Sequence, residues 1–263
     1  MLPLRIGIAA GCLDHPLKRS LAIAQEMGAQ GIQFDARREL VPSELSQTGR
    51  RQFLHQLDEM GLAVASLSFP IRRSLGDLDR LDARVEAIKQ AMEFAASLKC
   101  RVLSVRLGSI PSEEASEDRS RLLGVLNDLT RFGNHVGATL AATPSRESSE
   151  TLAQLVTQVT QGPLGVNFDA LAFLSAGSDP SEALQTLHQL IVHVQVRDAV
   201  QEADGPAREV QLGRGEVEWD VLLALLDEAG YRGWLTVDRT EGSDKQNDAA
   251  RAIEYLRRIG LGG

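Results

Sequence analysis

The sequence predicts a single (β/α)8 barrel, the TIM-barrel architecture of the α/β class, and three observations carry that prediction. Short apolar runs alternate eight times with amphipathic stretches, at roughly 30 residues a unit and close to the ~250 residues usual for this fold. No Pro/Gly/Ser-rich linker and no shift in composition divides the 263 residues, so one domain over 1–263 is expected. A doubly wound open sheet would place a Gly-rich phosphate loop after the first strand, and Ala9-Ala10-Gly11-Cys12 is not one.

The elements follow in order. Leu4–Ala10 reads as the first strand, and Leu17–Met27 follows as a helix with Leu17, Leu21 and Ala24 on one face. Gly31–Ala36 is the second strand, then a helix over about Glu44–Met60, and Leu62–Phe69 is the third strand, stopped by Pro70. The next helix is the clearest, because Leu81, Val85, Ile88, Met92 and Ala95 recur at helical spacing opposite a charged face. Arg101–Leu107 (strand), Arg119–Phe132 (helix), Ala138–Thr143 (strand) and Ser149–Val159 (helix) continue the alternation. Leu164–Asp169 is the sixth strand and Pro180–Leu190 its helix; Ile191–Asp198 is the seventh, alternating β-branched and polar residues before ending in two charges. Trp219–Ala229 is a helix, Gly233–Asp238 the eighth strand, and Asp248–Ile259 closes the chain.

Composition narrows the function classes. A net charge of −8 and a 43% hydrophobic content suit a soluble cytoplasmic protein with a sizeable core. The acidic balance argues against a broad nucleic-acid or anionic-lipid face, which would have to be cationic. Cys12 and Cys100 lie too far apart to suggest a disulfide framework or a cysteine zinc site. The N-terminus shows no charged-then-apolar leader, and apolar runs such as Val221–Leu226 are too short to cross a bilayer.

A barrel of this kind works at the C-terminal ends of its strands. The candidates there are Cys12, Asp14 and His15; Asp35, Arg37 and Arg38; Arg72 and Arg73; Arg106; Thr143 and Arg146; Asp169; Gln195, Arg197 and Asp198; and Asp238, Arg239 and Glu241. No Gly-x-Ser-x-Gly elbow is present, and Gly213-Arg-Gly215 is not a phosphate-cradling loop.

Four segments carry a family resemblance over essentially the whole chain: Gly165–Asp169 (GVNFD), His193–Asp198 (HVQVRD), Leu212–Glu216 (LGRGE) and Gly230–Arg239 (GYRGWLTVDR). With these, the chain resembles the xylose isomerase-like barrels, the sugar phosphate isomerases and epimerases. The resemblance implies a divalent metal held by Glu on strand five, Asp on six, His on seven and Glu on eight. Such a metal polarises the sugar's oxygens while carboxylates move a proton on the adjacent carbon. Carried over, these positions are Thr143, Asp169, Gln195 and Asp238; Asp169 alone matches. A His three residues after the strand-six Asp falls on Ala172, and an Arg six residues after the strand-seven His falls on Gln201. Fewer carboxylates and no imidazole imply at most weak binding of Mn²⁺, Mg²⁺ or Zn²⁺. Thr143 cannot serve as a base, which leaves Asp238, with Asp169, to carry any proton transfer.

The plainer readings stand beside these. Asp169 and Asp238 could simply hydrogen-bond neighbouring strands, His193 reads as a hydrogen-bonded core residue, and Asp198 as an anchor for the following loop. Glu113, Glu114, Glu117 and Asp118 read as a solvated acidic loop leading into a helix N-terminus. Arg72, Arg73, Arg106, Arg146, Arg197 and Arg239 all fall at or just past strand ends, with Arg106 and Arg197 in inward phase. Local ion pairing is the usual fate of any one of them; together they suggest a mouth that receives a small anionic or sugar-like ligand through Arg72, Arg73, Arg106 and Arg197. Two function classes remain: a sugar isomerase or epimerase, and a non-catalytic relative that binds a small anionic ligand or a protein partner. A homo-oligomer is compatible with both. The endonuclease IV branch of the fold would need a His/carboxylate zinc cluster and a basic DNA face, and the chain has neither.

Overall fold

The computed structural model describes residues 4–112, 114–202 and 205–260; Glu113 of the acidic loop lies outside them. Seven parallel strands run in order around a barrel: β1 (Arg5–Ala9), β2 (Gly31–Asp35), β3 (Ala63–Ser68), β4 (Val102–Arg106), β5 (Thr139–Thr143), β6 (Leu164–Asp169) and β7 (Ile191–Val196). A short antiparallel hairpin, β8 (Asp198–Val200) and β9 (Arg208–Val210), follows. β10 (Trp234–Val237) then pairs with both β7 and β1 and closes the barrel. The helices are α1 (Leu17–Glu26), α2 (Gln47–Glu59), α3 (Leu81–Ser97), α4 (Ser116–Val136), α5 (Ser149–Gln158), α6 (Ala170–Ser175), α7 (Pro180–Leu187), α8 (Trp219–Glu228) and α9 (Lys245–Gly260).

The outward strand faces are apolar. Ile8, Ile32, Phe34, Leu67, Leu103, Leu140, Val166, Phe168 and Val194 are all fully buried under the helices. Each such side chain contributes about 1.5–3 kcal/mol when removed from water. Helix starts follow local capping chemistry: Ser46 accepts from the Gly49 N–H at α2, Ser148 from Thr151 at α5, and Asp179 from Ser181 and Glu182 at α7. Glu117 and Asp118 lie in the first turn of α4, where the helix dipole favours carboxylates.

Two departures from the sequence expectation bear on the site. β7 stops at Val196 rather than Asp198, because the chain turns there into the β8–β9 hairpin. Asp198 explains the turn: its buried carboxylate accepts N–H groups from Ala199, Gly213, Gly215 and Val217, tying the returning loop to the strand end. A Cβ at Gly215 would sit 2.1 Å from Asp198 Oδ1, so only glycine allows this approach. The glycine-rich loop thus cradles an internal carboxylate. The second departure is α6, directly after β6, where Phe173 packs on Phe168 at 5.3 Å; the sequence reading places a helix only from Pro180.

Candidate ligand site at the barrel mouth

Inside the barrel the strands bring together a polar layer. His193 Nδ1 lies 2.7 Å from Asn167 Oδ1, and its Nε2 lies 3.0 Å from Ser66 Oγ and 2.9 Å from Thr236 Oγ1. Asn167 donates through Nδ2 to Thr143 Oγ1 at 3.0 Å, so its oxygen faces the ring and Nδ1 carries the imidazole proton. Burial drives the His193 pKa down to about 3, which keeps the ring neutral. The reading of His193 as hydrogen-bonded core agrees with these contacts.

One layer nearer the mouth, Gln195 and Gln33 exchange amide hydrogen bonds of 2.9 and 3.2 Å across the barrel axis. Gln33 also donates to Ser66 Oγ at 2.8 Å. Both amides are buried, and each gives the other one donor and one acceptor partner.

At the mouth the organising group is Arg197. Its guanidinium donates to Asp169 Oδ2 at 3.2 Å, Glu209 Oε2 at 3.4 Å and Thr240 Oγ1 at 3.0 Å. Side-chain exposures of 13% for Arg197, 3% for Asp169 and 2% for Glu209 make this a buried charge cluster, not a surface pair. Burial alone would lower the arginine pKa, but Asp169, Asp238 and Glu209 outweigh it and hold the guanidinium charged. Glu209 reaches in from β9 and also accepts from Thr240 Oγ1 and the N–H groups of Thr240 and Glu241. It thereby ties the hairpin to the loop after β10. Arg239 approaches the same carboxylate at 3.7 Å and donates to Asp248 at 3.1 Å. Asp169 Oδ1 and Arg197 Nε are enclosed here without hydrogen-bond partners.

Asp238 borders the cluster, half-buried, with the Cys12 thiol 3.7 Å from Oδ1. Burial raises its carboxyl pKa; Arg197 opposes that rise, and Glu209 and Asp169 add to it. Cys12 is itself buried and pushed well up by burial and by Asp238, so the thiol keeps its proton and is the donor.

The candidate residues divide accordingly. Thr143, Asp169, Gln195 and Asp238 all stand at the mouth end of their strands. Each already has a partner within the fold: Asn167, Arg197, Gln33 and Cys12 respectively. Among the described residues, no three His, Cys, Asp or Glu side chains are grouped to hold a metal ion. A divalent ion would have to displace a buried guanidinium and an amide pair, so this donor set fits it poorly. Of the candidate arginines, Arg197 is paired inside the cluster, with its Nε left unpartnered. Arg73 pairs at the surface with Asp77 and Asp79. Arg72 and Arg106 are exposed and have no ion pair among the described residues, and Arg106 stands level with Thr143 at the mouth. The sequence reading missed Glu209 and Gln33. Gln33 shares the inward phase of Asp35 and was legible in principle, whereas Glu209 sits in a three-residue strand with no periodicity to mark it.

Among the described residues, no helix is long and apolar enough to cross a membrane. The barrel superposes on a xylose isomerase domain protein from Planctomyces limnophilus with a TM-score of 0.85 at 25% identity, covering 97% of each chain. A D-psicose 3-epimerase from Clostridium cellulolyticum, solved with D-tagatose, aligns with a TM-score of 0.80 at 12% identity over 97% of this chain and 99% of that one, a likeness of fold alone. An uncharacterized protein of Methanocaldococcus jannaschii is 25% identical over 190 residues, which is 65% of this chain and 62% of that relative's length. The family described as xylose isomerase-like TIM barrel matches residues 21–259. With the closed eight-stranded parallel barrel, that match shows that the chain belongs to the xylose isomerase-like TIM barrel family.

Proposed function

We propose that the barrel mouth binds a small sugar-like or anionic ligand without a resident divalent metal, Arg197 supplying the fixed positive charge. The observation that carries this reading is the Arg197 guanidinium, 3.2 Å from Asp169 and 3.4 Å from Glu209 and enclosed among carboxylates that would otherwise attract a cation. Arg106 at the rim supplies an uncommitted charge for a carboxylate or phosphate, and half-buried Thr143 and Asp238 offer groups to ligand hydroxyls.

A second reading keeps sugar isomerase or epimerase chemistry in a metal-free form. The raised pKa of Asp238 beside a permanent cation favours it. The Asp238 carboxylate would take a proton from the carbon next to a carbonyl, and Arg197 would stabilise the enolate oxygen.

Elemental analysis of the purified protein, then calorimetry with ketoses, ketose phosphates and small organic acids with and without EDTA, tests the proposal. The expected result is substoichiometric metal and a ligand affinity that EDTA leaves unchanged and Arg106→Ala weakens. A stoichiometric Mn²⁺, Mg²⁺ or Zn²⁺ whose removal abolishes binding would overturn it. Turnover of a ketose in EDTA, lost in Asp238→Asn, would establish the second reading.

A further inference from the structure

An open cavity of about 1070 Å³ lies at the opposite end of the barrel. Arg5, Ala63, Val102, Thr139, Ile191 and Trp234 line it, and these are the first residues of β1, β3, β4, β5, β7 and β10. Its volume is at the upper end of what small-molecule sites enclose. Its charge runs against the rest of the molecule. Arg5, Arg51, Lys99, Arg101 and Arg232 line it with a single carboxylate, Asp58, in a chain of net charge −8. None of the five cations has an ion pair among the described residues, and all five are exposed. Arg5 and Arg232 also border a neighbouring cavity that carries Asp220, Asp227 and Glu228. The uncompensated charge therefore rests chiefly on Arg51, Lys99 and Arg101.

Two further features mark this cavity, although Asp14 and Arg80 on the mouth side also hold positive φ. Lys99 holds a left-handed φ of 57° in the turn after α3. After α1, α2, α4, α6 and α8 the corresponding turns use a positive-φ glycine: Gly28, Gly61, Gly137, Gly177 and Gly230. A lysine kept where the fold elsewhere uses glycine is local strain, and strain of this kind gathers at binding sites. Arg5 lies over the Trp234 ring at 4.0 Å, and a Cβ at Gly31 would reach within 2.8 Å of that ring. The strands thus leave room for an aromatic shelf that holds a guanidinium at the cavity wall.

We propose that this N-terminal cavity binds a small molecule bearing two or more phosphate groups. Several cations spread around one opening suit an anion with several separated oxygen clusters, and arginine forks match phosphate geometry. The cavity is too small to seat a folded partner. This site is independent of the mouth.

Calorimetry with inorganic tripolyphosphate, ATP and inorganic phosphate at low and moderate salt is the test. One tripolyphosphate should bind per chain, at least about tenfold more tightly than phosphate. Lys99→Gly should weaken it about tenfold and Lys99→Gly with Arg51→Ser more; because glycine suits the backbone at 99, loss of folding cannot mimic this result. Arg106→Ala, at the mouth, should leave it within about twofold. No binding at millimolar tripolyphosphate, several weak sites per chain, or an affinity that answers to Arg106→Ala and not to Lys99→Gly would each overturn the proposal.

Discussion

The two ends of the barrel handle charge in opposite ways. At the mouth, where this fold places its chemistry, the buried charges answer one another: Arg197 meets Asp169 and Glu209, and Arg239 meets Asp248 and Glu209, while Arg72 and Arg106 stay exposed at the rim without an ion pair among the described residues. At the N-terminal end, where conserved chemistry is not expected, cations line an open cavity without ion-pair partners. Charges that neutralise one another inside a fold hold it together; charges left uncompensated at a cavity are available to a ligand.

The sharpest way to break this comparison is Arg197→Met. It leaves Asp169 buried without a cation and Glu209 with Arg239 alone, and losing one partner of such a cluster costs about 3–5 kcal/mol. Urea unfolding should show that loss, and Arg197→Met with Asp169→Asn and Glu209→Gln should recover most of it. A single-variant loss under about 1 kcal/mol would mean that the mouth is not held by its charges. Gly215→Ala tests the same region through its backbone. The new methyl would meet Asp198 Oδ1 at 2.1 Å, so the loop must shift and stability should fall by about 1–3 kcal/mol. An unchanged midpoint would show that the cradle around Asp198 is slack.

Beneath the mouth, His193 gives the barrel interior a pH signature. Its folded pKa of about 3 lies below the ordinary value of 6.5. Above pH 6.5 the ring is neutral in both folded and unfolded chains and contributes no pH dependence. As pH falls from 6.5 toward 3, the unfolded chain takes up a proton that the folded one refuses. Stability should therefore fall by up to about 1.4 kcal/mol per pH unit in that window. His193→Gln should show a shallower slope than the parent between pH 6.5 and 4.5; equal slopes would mean that the ring accepts a proton in place.

Much of the fold was legible because it rests on local periodicity. β6 falls on Leu164–Asp169 as its alternation indicates, and the helix after β3 runs Leu81–Ser97 around the predicted stripe. The expected β7 runs two residues too long because Arg197 keeps the polar phase of His193 and Gln195, and nothing local records that the chain folds back there. Strand phase likewise brought Gln195 and Asp169 to the mouth. It could not show what they touch: Gln33 meets Gln195 across 162 residues, and Glu209 belongs to a three-residue strand. The N-terminal cavity was invisible for the same reason. Lys99 and Arg101 flank Cys100 between α3 and β4, but Arg51 comes from α2 and Arg5 and Arg232 from the two sides of the barrel closure, and only the folded barrel gathers them at one opening.

The smallest expected effect is also the most discriminating. Arg51→Ser and Lys99→Gly, singly or together, should lower unfolding free energy by no more than about 0.5 kcal/mol, the usual range for exposed sites without a structural role. The reason is the converse of the Arg197 case. Removing a cation that has no ion-pair partner strands no carboxylate, and at position 99 glycine relieves a φ of 57°. Urea unfolding under one set of conditions for all variants makes the comparison direct. A loss above about 1 kcal/mol at either position would assign those cations a structural partner. The two ends would then be built alike, and the cavity's charge would be part of the scaffold instead of a means of recognising phosphate.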